Sequence, residues 1–177
     1  MKDESMEIET TCCFTGHRPK AFPWGLDTDD PRYSVLIGRL AVAIKIAIRE
    51  GATHFITGNA VGVDLWAGEL VLLEKKLNPL LTLEIAVPFH GHNASIGGTD
   101  GKRIQAVHAG ADIVHIVSSS RSRKLAFCER DRYMVDHSAM LIAVYDERSG
   151  RAGGTQRTLH YARERRLQII QIPWMDI

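Results

Sequence analysis

Residues 53–76, THFITGNAVGVDLWAGELVLLEKK, decide the fold of this chain. The run at 53–57 is short and rich in β-branched and aromatic residues, which is typical of a strand. From residue 63 to residue 76 apolar side chains recur at helical spacing, and we expect Leu65, Leu72 and Leu73 to be buried. A glycine-containing loop joins the two patterns. The stretch therefore predicts a strand, a loop and a helix in succession.

The same alternation continues along the chain. Further short β-prone runs lie near residues 10–15, 81–87, 112–117, 140–145 and 168–172. Helical patterns lie between them at residues 33–50, 102–109, 125–136 and 155–166. The strand runs lack a clean polar alternation, so we expect strands covered on both faces. The pattern predicts an α/β protein with a mainly parallel sheet of about six strands and helices on both faces.

Length and composition limit the classes of protein to which the chain can belong. The chain has 177 residues and a net charge of +1, which fits one domain without an overall basic or acidic field. Residues 1–9 are predicted to be a polar leader of the kind that is often disordered, and residues 10–177 a single domain. The sequence shows no signal peptide and no apolar run of about 20 residues, so we expect a cytoplasmic protein that does not enter a membrane.

The cysteines are Cys12, Cys13 and Cys128. Their number is odd and they contain no CxxC pair, so the sequence gives no sign of a disulfide framework or a redox motif. We expect three small buried side chains in a reducing compartment.

The loop after the first strand is the first candidate for ligand binding, because open parallel sheets bind ligands beyond the carboxyl ends of their strands. It contains Gly16, His17 and Arg18. Glycine lets the backbone approach a ligand, and the next two side chains are potential cations. An ordinary strand-ending turn with both side chains on the surface is the alternative.

The loop after the second strand, Thr57-Gly58-Asn59-Ala60-Val61-Gly62-Val63-Asp64, leads into a helix. Small residues free backbone N–H groups and a helix N-terminus carries partial positive charge, so Gly58, Asn59, Ala60 and Gly62 are predicted to bind phosphate. The spacing matches neither GxGxxG nor a Walker loop. Asp64 is predicted to accept a hydrogen bond from ribose or to act as a general base, unless it only stabilises the helix dipole.

Two later segments add candidate ligand-binding residues. Arg130 lies four residues before Met134, and a core position for Met134 would turn Arg130 towards the end of the sheet. There its guanidinium could bind phosphate or carboxylate, unless it forms a surface salt bridge with Glu129 or Asp131. After the fifth strand Gly153, Gly154 and Thr155 open a helix, with Thr155 as its predicted cap.

Two further loops are weaker candidates. His90 and His92 follow the third strand, but the sequence supplies no third ligand at a standard spacing, so we predict a polar loop and no metal site. Residues 118–124, SSSRSRK, follow the fourth strand. We favour a solvated connection there over a phosphate site.

These blocks together resemble the YpsA-like proteins of the SLOG superfamily, which also contains the DNA-processing protein Smf and the Lonely Guy enzymes. The similarity runs from about residue 11 to residue 173 and is carried by Gly16-His17-Arg18-Pro19, residues 58–64, Arg130 with Met134-Val135-Asp136, residues 141–145, and Gly153-Gly154-Thr155. The resemblance implies a Rossmann-like three-layer sandwich, a nucleotide or nucleotide-derived ligand, no required cofactor, and a homodimer.

The resemblance also bears on catalysis. Lonely Guy enzymes cleave N-glycosidic bonds with an arginine in an R-K-x-x-M helix and a glutamate after a G-G-x-G-T loop. Arg130 and Met134 match the first motif, but Asp131 replaces its lysine, and residues 156–160 contain no glutamate. A carboxylate is needed to stabilise the developing oxocarbenium ion. Asp64, or Glu69 further along the same predicted helix, would substitute for that glutamate.

Three functions follow from the sequence. The first is a sensor or regulator that binds a nucleotide or nucleotide-derived phosphate ligand at the carboxyl edge of the sheet. The second is a hydrolase of nucleoside monophosphates, with Asp64 and Arg130 as catalytic residues. The third is single-stranded DNA binding, which needs a basic groove with stacking aromatics and would use Arg121, Arg123, Lys124, Arg163, Arg165 and Arg166.

Overall fold

A computed structural model describes residues 8–150 and 152–177 of the chain. Residues 1–7, which form most of the predicted leader, and residue 151 lie outside the described part. Six parallel strands form one sheet in the order β4-β3-β2-β1-β5-β6. Their bounds are β1 Thr11–Gly16, β2 His54–Thr57, β3 Thr82–Val87, β4 Ile113–Ile116, β5 Met140–Val144 and β6 Gln168–Ile172.

Five helices connect the strands. They are α1 Pro31–Arg49, α2 Val63–Leu77, α3 Gly98–Gly110, α4 Arg123–Asp136 and α5 Gly154–Glu164. Helix α3 begins four residues before the predicted residue 102, because its first turn contains Gly98 and Gly101, which have low helix propensity and mask the pattern. Within the described residues no helix combines the length and apolar character needed to cross a membrane.

The helices lie in two layers with the sheet between them. One apolar core joins α1, α2 and α3 to the sheet through residues such as Leu40, Leu65 and Phe55. A second core joins α4 and α5 to the opposite face through Met134 and Leu159. The predicted Rossmann-like three-layer architecture is confirmed, and the strand order reverses its direction of growth between β1 and β5.

The edge strand β4 departs from the prediction that the strands are covered on both faces. Ile113, Val114 and Ile116 are 46%, 42% and 39% exposed, because α3 packs on α2 while α4 crosses over β3 and β1. Leu73 on α2 was also predicted to be buried, but it is 54% exposed. It lies on the outer side of its helix, away from the sheet.

The cysteines agree with the prediction in part. Cys12 and Cys13 are fully buried on opposite faces of β1. Burial raises the pKa of the Cys13 thiol to about 12, so this side chain is an inert apolar group. Cys128 was expected to be buried, but it is a free thiol with partial exposure on α4.

Candidate functional site

A cleft of about 450 Å³ opens at the carboxyl ends of the strands, where the sheet changes direction between β1 and β5. The end of β1, the first turn of α2, the middle of α4 and the start of α5 all contribute to it. Its lining includes Gly16, His17, Arg18, Lys20, Ala60, Asp64, Phe127, Arg130, Asp131, Gly153, Gly154, Thr155 and Arg157. A larger groove of about 660 Å³ runs along α5 and shares Cys128, Asp131 and Arg157 with the cleft. Most of the predicted site residues therefore lie together.

The loop after β1 approaches the start of α2 through two glycines. A Cβ atom at Gly16 would lie 2.5 Å from the Val63 side chain, and one at Gly62, where φ is +109°, would lie 2.7 Å from the His17 carbonyl oxygen. Glycine is needed at both positions for close approach, and at Gly62 for backbone conformation as well. Arg18 is exposed at the edge of the cleft. Gly62 shapes the site without lining it.

The His17 ring packs in an aromatic cluster. Its centroid lies 6.2 Å from that of Phe22, 5.6 Å from that of Tyr145 and 6.2 Å from that of Trp174. His17 still lines the cleft. These contacts hold the loop that carries Arg18 against the aromatic cluster.

The glycine-rich loop before α2 uses many of its polar groups internally. The N–H groups of Leu65 and Trp66 donate to the carbonyls of Ala60 and Gly62 at 3.1 and 3.0 Å. The Thr57 hydroxyl donates to the Asp64 carbonyl at 2.6 Å. Of the four residues whose amides were predicted to bind phosphate, Asn59 donates its N–H to the Thr57 hydroxyl oxygen at 3.2 Å, so that amide is used within the loop.

Asn59 and Gly58 lie behind the cleft rather than in its lining. Asn59 has a φ of +48° and donates through Nδ2 to the Ile104 carbonyl at 3.2 Å, and it accepts at its own carbonyl from Asn93 Nδ2 at 2.8 Å. It thus ties the loop to α3 and to the loop after β3. A Cβ atom at Gly58 would lie 1.2 Å from Arg130 Nη1, so this glycine makes room for the guanidinium.

Arg130 is bracketed by two carboxylates at the floor of the cleft. Its Nη1 donates to Asp64 Oδ2 at 3.0 Å, and its Nε lies 2.9 Å from Asp131 Oδ1 in an ion pair that lacks hydrogen-bond geometry. The Arg130 side chain is only 7% exposed. Met134 is in the core, as predicted, and this turns Arg130 towards the sheet end. The pairing partner that the sequence did not identify is Asp64.

The charge of the floor differs from that of the rim. One guanidinium and two carboxylates give the floor a formal charge of −1 when both acids are ionised. Burial, and to a lesser extent the negative charge of Asp64, raise the pKa of Asp131 above its ordinary value. Arg18, Lys20 and Arg157 line the same cleft and make the rim cationic.

The start of α5 supplies backbone donors to the rim. Gly153 is the N-cap, makes no side-chain cap hydrogen bond, and accepts at its carbonyl from the Arg157 N–H at 3.1 Å. The first-turn N–H groups of a helix have no partner within it, and here Gly153, Gly154 and Thr155 line the cleft. Thr155 was predicted to cap α5, but it lies inside the first turn and is buried. Gly153 takes the cap position instead.

The weaker candidate loops lie as follows. His90 is exposed, and His92 packs between Phe89 and Phe127. Within residues 8–150 and 152–177 no group of three or more potential metal-ligating side chains is placed to hold an ion. The predicted solvated segment 118–124 is mostly exposed, although the Ser118 side chain is buried and donates to Glu129.

Two sets of predicted residues do not join the cleft. Glu69, a candidate catalytic carboxylate, is bound through both oxygens by Arg103 at 2.7 Å on the outer side of α2. The six basic residues considered for DNA binding fall into two groups at opposite edges of the sheet, around the start of α4 and at the end of α5. In the second group Arg163 contacts Glu147, and Arg165 contacts Asp136.

Sequence reasoning missed Phe127, Asp131 and Arg157, which all line the cleft. Phe127 and Asp131 are spaced on one helix face with Arg130 and Met134, so the helical pattern of α4 could have indicated both of them. Asp131 also occupies the position where the related motif has lysine. The placement of Arg157 one turn into α5 follows from the position of the helix cap at Gly153.

An open parallel sheet with a polar cleft at its switch point defines a Rossmann-like α/β protein, and proteins of this class bind their ligands at the carboxyl edge of the strands. The chain belongs to the YpsA family, described as the YspA SLOG family, whose sequence model matches residues 12–177. It is 31% identical over 139 residues to the UPF0398 protein SSP1297 of Staphylococcus saprophyticus, covering 77% of this chain and 73% of the relative.

Two other proteins place the family in context. The uncharacterised SPbeta prophage-derived protein YoqJ of Bacillus subtilis is 30% identical over 137 residues, covering 71% of this chain and 78% of the relative. The structure of DNA processing protein A from Streptococcus pneumoniae matches with a TM-score of 0.55 and 17% identity. That match covers 93% of this chain but 50% of the other, so this chain spans about half of that protein and shares its fold.

Proposed function

We propose that the cleft binds the sugar-phosphate part of a nucleotide or nucleotide-derived ligand and that the protein acts as a sensor or regulator of that ligand. The observation that carries the proposal is the opposite polarity of floor and rim within one cleft. A volume of about 450 Å³ lies within the range of about 300–1,000 Å³ found for small-molecule sites.

The rim is suited to the phosphate. The first-turn amides of α5 and the positive end of its dipole favour an anion. Arg18, Lys20 and Arg157 add charge at the same edge. A phosphate on the floor would instead approach Asp64 and Asp131, which repel it.

The floor is suited to sugar hydroxyls. Ionised carboxylates only accept hydrogen bonds, so Asp64 and Asp131 select donor groups such as a ribose diol. Arg130 holds Asp64 through Oδ2 and offsets part of the negative charge. In this arrangement Arg130 orients the carboxylates, whereas the sequence alone suggested a direct phosphate ligand.

Titration calorimetry with ribose 5-phosphate and AMP tests the proposal. We expect both to bind, and Arg157→Gln to weaken both by about tenfold, because a charge-assisted hydrogen bond to phosphate is lost. Arg49→Gln is the matched control, since Arg49 lies at the far end of α1 and is exposed. The proposal is wrong if neither compound binds the wild-type chain at millimolar concentration.

A second candidate is hydrolysis of the N-glycosidic bond of a nucleoside monophosphate. The specific observation in its favour is that two carboxylates flank Arg130, and that the pKa of Asp131 is raised, as a proton donor requires. Asp64 would stabilise the developing positive charge on the ribose. Release of free base from AMP, lost in both Asp64→Asn and Asp131→Asn, is the expected result. Intact AMP after long incubation would leave binding alone.

A further inference from the structure

Helix α4 contributes Phe127 to the lining of the cleft. The proposed sugar-phosphate binding gives this side chain no role. The residue is partly exposed. The Arg130 guanidinium lies 6.0 Å from the ring centroid, so the aromatic surface adjoins the acidic floor directly. A ligand that spans the floor therefore meets this ring next.

We infer that Phe127 is the stacking surface for an aromatic heterocycle, so that the cleft selects nucleoside phosphates over simple sugar phosphates. The inference rests on the proposed sugar-phosphate binding and adds that the ligand also carries an aromatic base. Bases stack on phenylalanine with little dependence on sequence, because every base has a π face. Rim, floor and ring would then contact the phosphate, the ribose and the base of one ligand.

The surrounding side chains hold the ring in place. Phe89 and His92 meet Phe127 edge-to-face, with centroid distances of 5.8 and 5.4 Å and interplanar angles of 82° and 80°. Phe89 and His92 also contact each other at 5.5 Å, which closes the cluster. The Arg123 guanidinium lies 5.6 Å from the Phe89 ring. A ring fixed in this way loses little side-chain entropy when a base stacks on it.

His92 enters this cluster as a neutral ring. Burial, followed by the positive charges of Arg130 and Arg18, lowers its pKa to about 4. Its Nε2 is buried and has no hydrogen-bond partner among the described residues. A neutral imidazole adds apolar contact to Phe127 without another positive charge near the ligand, so His92 supports the platform.

The test compares AMP with ribose 5-phosphate on Phe127→Leu and Phe127→Tyr by titration calorimetry. Leucine keeps an apolar side chain of similar size without a π face, so we expect AMP affinity to fall about 5- to 100-fold. Ribose 5-phosphate affinity stays within about twofold, which also shows that the variant is folded. Phe127→Tyr keeps a π face and retains AMP binding.

The outcomes separate this inference from the proposal on which it rests. If Phe127→Leu weakens both compounds equally, or weakens neither, the stacking role of Phe127 is wrong while sugar-phosphate binding stands. If the wild-type chain binds ribose 5-phosphate and AMP with the same affinity, the base contributes nothing and the inference is again wrong. If the wild-type chain binds neither, the proposed function itself fails.

Discussion

Arg130 Nη1 lies 3.0 Å from Asp64 Oδ2 although the two residues are 66 positions apart in the chain. Their side chains are 7% and 13% exposed, so the ion pair is largely withdrawn from water. Removing one member of a buried pair costs more than the pair contributes, because the remaining charge is left uncompensated. Of the changes to the floor, we therefore expect substitution of one member of this pair to cost the most stability.

Replacement of Arg130 by methionine keeps most of its apolar stem but leaves Asp64 and Asp131 facing each other. We expect the free energy of unfolding at pH 8 to fall by about 3 kcal/mol. The loss becomes smaller at pH 5, because burial raises the pKa of Asp131 and protonation of this carboxyl relieves the repulsion. Urea unfolding at both pH values measures the difference.

The control for that variant is Arg121→Met, at an exposed position in the loop before α4. It is expected to change the free energy of unfolding by less than about 0.5 kcal/mol. A loss for Arg130→Met that is the same at pH 5 and pH 8 would contradict the charge argument and indicate a packing defect.

Gly58→Ala tests whether the Gly58 position makes room for the ion pair. The new Cβ atom would lie 1.2 Å from Arg130 Nη1 and 2.4 Å from Asp64 Oδ2, so the guanidinium must move. We expect a stability loss of about 1–3 kcal/mol and a loss of ligand affinity of at least tenfold. Gly97→Ala is the matched control, because its Cβ atom meets nothing within 4 Å. Normal affinity in Gly58→Ala would show that the Arg130 position is not needed for binding.

The raised pKa of Asp131 leads us to expect that ligand binding depends on pH. Its pKa is raised, chiefly by burial, and its protonation removes a negative charge from the floor. The ionised carboxylate is the stronger acceptor for ribose hydroxyls, so the affinity of Asp131→Asn for ribose 5-phosphate is expected to be lower than that of the wild type at pH 8. The ratio of the two affinities should approach one as the pH falls and Asp131 of the wild type becomes protonated. Titration of both proteins at the same pH cancels the ionisation of the phosphate itself. A ratio that does not change with pH would contradict the prediction.

Glu84 lies away from the cleft, and we expect the stability that it contributes to the fold to be lost in acid. Burial alone would raise its pKa, but hydrogen bonds from His54 and Tyr133 outweigh this and lower the pKa below its ordinary value of 4.5. A lowered folded-state pKa stabilises the fold above the unfolded pKa, and this contribution is lost as the pH falls through the folded value.

We therefore expect Glu84→Gln to destabilise the protein by about 1–3 kcal/mol at pH 7, and by progressively less below about pH 4. Thermal or urea unfolding against pH gives both values. Tyr133→Phe removes one hydrogen bond without changing any charge at pH 7, so its effect should be the smaller of the two. An equal effect of both variants at every pH would exclude a role for the Glu84 charge.

The order of strands and helices could be predicted because each element carries its own local pattern. The predicted strand at 168–172 has the observed bounds, and the predicted helix at 63–76 differs from α2 by one residue. The exposure of β4 could not be predicted, because its sequence is as apolar as that of a central strand. Only the strand order, which depends on contacts across the whole chain, places it at an edge.

The sequence could predict which loops form the site, but not which side chains pair with each other in it. The sequence indicated that Arg130 would turn towards the sheet end, and Met134 in the core confirms it. It gave no sign that Asp64 would be the partner, because the two lie on different helices. Likewise, the small residues around Gly58 predicted amides free to bind phosphate, whereas the Asn59 amide bonds within the loop and the space at Gly58 accommodates the Arg130 side chain.

The reversal of strand order between β1 and β5 has a consequence for the timing of synthesis. Residues before β4 supply one wall of the cleft, but Phe127 and the first turn of α5 come from the later half of the chain. A nascent chain on the ribosome thus lacks Arg157 and the first-turn amides of α5, which belong to the rim, until α5 has emerged and docked. A ligand that needs both walls can bind only the completed fold, so it would protect the whole domain against proteolysis and leave shorter translation products unprotected.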